Sequence, residues 1–247
     1  MVRSEETIEK SPAAECSCLE IRRDGLQEQI MTSILQEHHM KVFVNGQFWT
    51  MFSCTPEYLA EAVFGRLKTE GIIEKKDDVA SVVIEEDGTR AQVWLADPSG
   101  TWKERRKILR SLTPIPWKTE WIFSLAERIA NGMPLHEKTW AAHSCFLACK
   151  ETLLFSCEDI GRHNAIDKVI GYGIRNEIPL NQCILYTSGR MPSDMAEKII
   201  MAGIPVVAAK AMPMMDSVAL ARQYHLTMIC AARPDRIRVY TDFSKDI

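Results

Sequence analysis

Residues 151–174, ETLLFSCEDIGRHNAIDKVIGYGI, run from a short apolar segment through a polar turn into helix-like spacing at Ala165, Ile166, Val169 and Ile170. Leu153 to Cys157 read as a buried strand and His163 to Ile174 as an amphipathic helix. The same alternation continues downstream. QCILYTS (182–188) is followed by helix-like PSDMAEKIIMAG (192–203), VVAAK (206–210) by MDSVALARQYH (215–225), and LTMICAA (226–232) by a final strand RIRVYT (236–241), which reads as an edge. Strands alternating with helices predict an α/β fold with a mostly parallel sheet flanked by helices over 119–247. Ahead of it, WIFSLAERIANG (121–132) predicts a helix that stops at Gly132.

The upstream half has a different pattern. KVFVNGQFWTMF (41–52) alternates around Asn45-Gly46, and Val79 to Leu95 breaks at Asp87-Gly88, so both predict hairpins. TPEYLAEAVFGRLKTEGII (55–73) predicts a helix with Thr55 as N-cap, Pro56 in the first turn and Gly71 beyond its end. Residues 37–118 thus form a smaller α+β domain. It ends in the connecting loop DPSGTWKERRKILRSLTPIPWK (97–118), with room for one short basic helix. Residues 1–36 are expected to be a charged arm leading into a short helix.

At 247 residues and 46% hydrophobic content the chain is long enough for a substantial core. A formal charge of -3 gives no general attraction to nucleic acid or anionic membranes, so anion binding requires a local cluster. No run resembles a secretory signal or a membrane span, so a cytoplasmic protein is expected. The eight cysteines then read chiefly as buried thiols, Cys183 and Cys230 most clearly. Cys16 and Cys18 sit in the polar arm and fit a core less well. Neither a C-x-x-C nor a cysteine-histidine spacing for structural zinc occurs.

In open α/β sheets, ligands gather beyond the carboxyl ends of strands. Three such ends are polar or small here, and they are expected side by side: Glu158, Asp159, Gly161, Arg162, His163 and Asn164; then Ser188, Gly189 and Arg190; then Ala208, Ala209, Lys210, Ala211, Met212 and Pro213. Gly161 and Gly189 allow positive φ or close approach, and the two arginines offer planar forks for phosphate. Together they predict a pocket for a phosphorylated ligand, with Glu158, Asp159 or Asp167 available to base or ribose donors. Alternatively, the acids cap a helix or pair with Arg162, and Asp167 and Lys168 lie on a solvated face. His163 is retained as a site residue without a catalytic role. Met212, Met214 and Met215 either line a planar ligand or, for at least one of them, pack in the core.

The motifs EDIGRHNAIDKVIG, SGRMPSDMAEKIIMAGIP and ARPDRIRVYT, with VNG, CTPEYLAEAVFGRLKTEGII and His143 upstream, closely resemble those of the FdhD family of formate dehydrogenase accessory proteins. The likeness spans nearly all of residues 38–241. It implies a cytidine-deaminase-like C-terminal domain and a homodimer. It also implies transfer of sulfur from a cysteine desulfurase to a molybdenum bis(molybdopterin guanine dinucleotide) cofactor, held as cargo before insertion into formate dehydrogenase. GDP is expected to mimic part of that cargo, and Ala208 to Pro213 match the family's cofactor-contacting segment.

The chain departs from the family pattern where sulfur transfer is expected. Sulfur-transferring members carry a C-x-x-C pair in the connecting loop, whereas this chain has no cysteine between Cys54 and Cys145. Cys145 and Cys149, in HSCFLAC, are the nearest alternative thiols. Their spacing suits one helical face, and His143 stands close enough to lower the pKa of Cys145; two buried thiols are the competing interpretation. Trp140 and Ala141 replace an expected glycine pair, and Met214 replaces a threonine. Deamination is not expected, since the glutamate of H-x-E and the P-C-x-x-C pair are both missing. A cofactor-binding chaperone that handles no sulfur is the alternative function.

Overall fold

The computed structural model describes residues 11–97, 99 and 101–244; the start of the expected arm, before Ser11, lies outside the described residues. The remainder of that arm is a β-hairpin, not a helix. β1 (Ala13–Ile21) pairs antiparallel with β2 (Gln27–Leu35) around a turn containing Gly25 at φ 89°. Ile30, Thr32 and Ile34 are β-branched and alternate along β2, which favours an extended strand despite the surrounding charge. The base of the hairpin is anchored in a small apolar cluster, through Ala13 and Leu35 against Leu135 and Ala142.

Both predicted hairpins of the N-terminal unit are present. β3 (His38–Val44) and β4 (Gln47–Cys54) join through Asn45 at φ 48° and Gly46 at φ 76°, the two left-handed positions that a tight two-residue turn requires. β5 (Val79–Ile84) and β6 (Arg90–Leu95) form the second, and parallel pairing of β3 with β6 closes a sheet of order β4-β3-β6-β5. The helix α1 (Leu59–Thr69) begins later than expected, after a left-handed Tyr58, and Thr55 is not its cap. Thr55 is instead buried against the other half of the molecule. Gly71, at φ 75°, ends the segment as expected. In the connecting loop the short helix is a single 3-10 turn, Thr101–Glu104, followed by irregular chain up to Lys118.

The large sheet has order β12-β11-β10-β9-β7-β8. Its strands are β7 (His143–Cys149), β8 (Thr152–Asp159), β9 (Ile184–Thr187), β10 (Val206–Ala209), β11 (Thr227–Arg233) and β12 (Arg236–Thr241). The expected mostly parallel sheet is in fact mixed. β9, β10 and β11 run parallel, whereas β7 is antiparallel to both neighbours and β12 is an antiparallel edge. The difference arises from HSCFLAC, whose cysteine spacing suits a helical face but which forms β7. A seven-residue apolar run has no periodicity to separate the two states, and pairing on both sides settles it as strand.

The helices are α2 (Thr119–Ala130), α3 (Pro134–Thr139), α4 (Arg162–Arg175), α5 (Ser193–Ala202) and α6 (Met215–Gln223), and none is long and apolar enough to cross a membrane. One apolar core runs from Val42 and Val93 of the small sheet through α1 and α4 to Leu185 and Val207 of the large one. Where α1 crosses α4, Gly65 and Gly171 bring the backbones together. A Cβ on Gly65 would lie 1.8 Å from the Asp167 carbonyl oxygen, and one on Gly171 would lie 1.9 Å from that of Glu61.

Candidate functional site

The turn after β8 is largely consumed inside the protein. Asp159 is fully buried, pairs with Lys168 Nζ at 2.7 Å, and accepts hydrogen bonds from the Thr55, Gly161 and Asn164 nitrogens. Asn164 also donates to the Ser53 carbonyl at 2.7 Å, and Lys168 donates to Thr55 Oγ1 at 2.6 Å. One helical turn further on, Asp167 accepts from Lys198 Nζ and Arg66 Nε, each at 2.6 Å, and from Thr69 Oγ1 at 3.1 Å. Asp167 and Lys168 are therefore not on a solvated face; both have no exposure and join the two halves of the molecule. Burial lowers the pKa of Lys198, while the Asp167 charge opposes that shift.

Glu158 is likewise taken up internally, though with a consequence for the site. Its carboxylate accepts from the Leu135 and His136 amides at 2.7 and 2.8 Å, so it serves the N-terminus of α3 rather than pairing with Arg162. This fixes His136, whose Nδ1 donates to the Ala142 carbonyl at 2.8 Å and leaves Nε2 as the free ring nitrogen. It also positions Trp140, 85% exposed and left-handed at φ 57°, at the position where the resemblance expects glycine.

The three turns do not lie side by side. The N-terminal end of β7 stands between the end of β8 and that of β9, bringing His143 and Ser144 into the row. The turns after β9 and β10 are laced to each other. Lys210 N–H donates to the Thr187 carbonyl at 2.9 Å, a Met191–Pro213 bridge continues the parallel pairing, and Ser217 Oγ donates to the Met191 carbonyl at 2.7 Å. Ser188 Oγ accepts from Ser144 N–H at 2.9 Å and lies 3.4 Å from His143 Nδ1.

These elements surround a cavity of about 360 Å³. Polar and charged groups reach it from His136, His143, Ser144, Ser188, Lys210 and Arg233, and Trp140 forms part of its wall; none of its lining residues is acidic. Of the sequence candidates, Ser188, Lys210 and Ala211 line it; Arg190 is exposed outside it, and Ala208 and Ala209 are buried within β10. His136, His143, Ser144 and Arg233 were not among the candidate ligand contacts, although His143 carried part of the family resemblance. Burial holds the His143 pKa below the ordinary histidine value, with the Arg162 and His136 charges adding to the effect.

Arg162 does not line this cavity but lies near enough to His143 for its charge to act on that histidine. Its side chain packs over Gly189, where an added Cβ would meet Arg162 Cβ at 3.1 Å, and its buried Nε has no hydrogen-bond partner. Gly161 and Gly189 thus allow a tight approach of the Asn164 and Arg162 side chains, and neither has a positive φ. His163 Nε2 lies 2.8 Å from Asp194 Oδ2 and ties α4 to α5. Burial raises the Asp194 pKa, but the His163 hydrogen bond and charge outweigh it and leave the carboxyl below its ordinary range.

Met212, Met214 and Met215 are all exposed, so none packs in the core. Met212 Sδ accepts long contacts from Arg238 Nη1 and Tyr240 Oη of β12, at 3.9 and 3.8 Å. At the start of α6, Ser217 Oγ accepts from the Met214 amide at 3.1 Å, while the Met214 side chain offers no hydroxyl in return.

Neither Cys145 nor Cys149 lines the cavity. Cys145 is fully buried, and burial pushes its pKa well up, overturning the expected activation by His143. Burial also raises Cys54, Cys157, Cys183 and Cys230 to about 12.

Residues 35–114 and 99–246 match the model of the FdhD/NarQ family. A sulfur carrier protein FdhD of Methanothermobacter thermautotrophicus is 26% identical, covering 89% of this chain and 94% of its own. That of Halalkalibacterium halodurans is 28% identical, covering 84% and 86%. A crystal structure of a putative formate dehydrogenase accessory protein from Desulfotalea psychrophila superimposes with a TM-score of 0.82 at 26% identity, covering 94% of this chain and 97% of that one.

Proposed function

The chain belongs to the FdhD/NarQ family, and from that premise we propose that it is a sulfur carrier and accessory protein for a formate dehydrogenase, with its cavity receiving a molybdenum bis(guanine dinucleotide) cofactor as cargo. The observation that carries this function is a basic, acid-free cavity at the carboxyl ends of β9 and β10, beside a buried arginine nitrogen without a partner. Lys210 and Arg233 supply positive charge for diphosphate oxygens, Arg162 a spare planar donor, and Trp140 an exposed ring for stacking. A volume near 360 Å³ falls at the lower end of small-ligand sites. It suits the nucleoside-diphosphate portion of one arm, so a homodimer would present one cavity to each arm.

The cargo supplies the metal that receives sulfur. The protein's part is to orient the dinucleotide and to accept sulfane sulfur from a persulfide donor such as a cysteine desulfurase. A chaperone that holds the cofactor without handling sulfur is the second possibility, favoured by the absence of any thiol from the cavity lining.

Calorimetric titration with GDP, followed by a structure of the complex, tests the site. Diphosphate oxygens near Lys210 and Arg233 are the expected result. Binding elsewhere, or affinity unchanged in Lys210→Ala, would remove the cavity from the proposal.

A further inference from the structure

Sulfur carriage requires a thiolate that can reach a donor outside the protein and an acceptor inside its site. Five of the eight cysteines are buried and Cys149 is half-buried; Cys16 and Cys18 are exposed. Both lie on β1, two residues apart, so their side chains share one face of the hairpin, opposite Thr32 and Ile30 of β2.

The hairpin adjoins the site. Thr32 and Ile34, on the cysteine face, and Ser33 and Leu35, on the other, line a second hollow of about 360 Å³ with Thr139 and Ile160, and Ala141 lines both this hollow and the main cavity. At the hairpin base, Ala13 packs with Ala142, another cavity-lining residue. Cys16 is three residues along the strand from Ala13, roughly 10 Å away and on the opposite face, the one it shares with Ile34 and Thr32. Cys149, by contrast, sits at the far end of β7 from His143, roughly 20 Å along the strand.

Building on the sulfur-carrier function above, we propose that Cys16 and Cys18 are the thiols that take up and hold the transferred sulfur, so that the hairpin replaces the missing C-x-x-C loop. A Cys16 or Cys18 thiolate attacks the outer sulfur of a donor persulfide. The donor's S–S bond breaks, a new S–S bond forms on the hairpin cysteine, and the electron pair of the broken bond leaves with the donor thiolate. No net oxidation occurs. Same-face Cα atoms two residues apart on a strand are separated by about 6.4–6.8 Å, near the upper limit for a disulfide, and Cys16 and Cys18 are both free thiols.

The full-length protein would be treated with cysteine persulfide, alkylated, and mapped by peptide mass spectrometry, with GDP affinity measured in parallel as a check on the fold. One added sulfur atom on the peptide holding Cys16 and Cys18 is expected. Loading should fall about ten-fold in Cys16→Ser/Cys18→Ser and stay unchanged in Cys149→Ser, with GDP affinity equal in all three. Sulfur on Cys149, or undiminished loading of the double variant, overturns the assignment to the hairpin and leaves the sulfur-carrier function standing. No loading of the wild-type protein overturns both.

Discussion

The turn after β8 and the paired turns after β9 and β10 are built from similar residues, yet they serve opposite purposes. Glu158, Asp159 and Asn164 face inward and are fully partnered; Asp159 and the following Asp167 tie α4 to the N-terminal unit. Ser188 and Lys210 open onto a cavity without a carboxylate. Acids at a strand end are drawn to buried cations, and what stays available for an anion is the basic and small-residue remainder. Polar density in a sequence therefore marks a place where burial must be compensated as readily as it marks a ligand site.

The contrast can be broken experimentally. Lys168→Met leaves the Asp159 carboxylate buried without its cation and should lower unfolding stability by about 3–5 kcal/mol in urea titrations. An unchanged midpoint would mean the buried pair contributes nothing. Gly171→Ala forces α4 away from the Glu61 carbonyl and should cost about 1–3 kcal/mol by the same measurement.

On the other side of the comparison, Arg233→Ala should weaken GDP binding about ten-fold while leaving the urea midpoint within experimental scatter. A stability loss instead of an affinity loss would place Arg233 with the structural charges.

The smallest effect expected concerns His143. Its folded pKa lies below the ordinary value of 6.5, so between those two values the unfolded chain binds more protons than the folded one. Stability should therefore rise with pH across that window and fall as acid is added. His143→Gln should flatten this slope, which urea midpoints measured at several pH values will reveal.

Much of the architecture was legible in the chain. Asn45-Gly46 and Asp87-Gly88 marked real hairpins, because Asn45, Gly46 and Gly88 tolerate the left-handed backbone that such turns require. The helices at 119–130, 162–175 and 193–202 followed from their apolar spacing. Other signals misled. Charge density around Cys16 hid a hairpin whose evidence was alternation, and Thr55 had the right chemistry for a cap but is used to bind Lys168. His136, His143 and Arg233 come from three separate elements, and nothing in their local sequence announces that they share one cavity.

Local composition and periodicity thus determined the turns, most of the elements and the family, because each rests on residues within about one helical turn or strand of one another. Only the tertiary structure decided that β7 stands between β8 and β9, which acids are neutralised internally, and which thiols meet solvent. Those outcomes depend on pairing and burial between segments from about twenty to more than a hundred residues apart, and such contacts leave no local periodic trace.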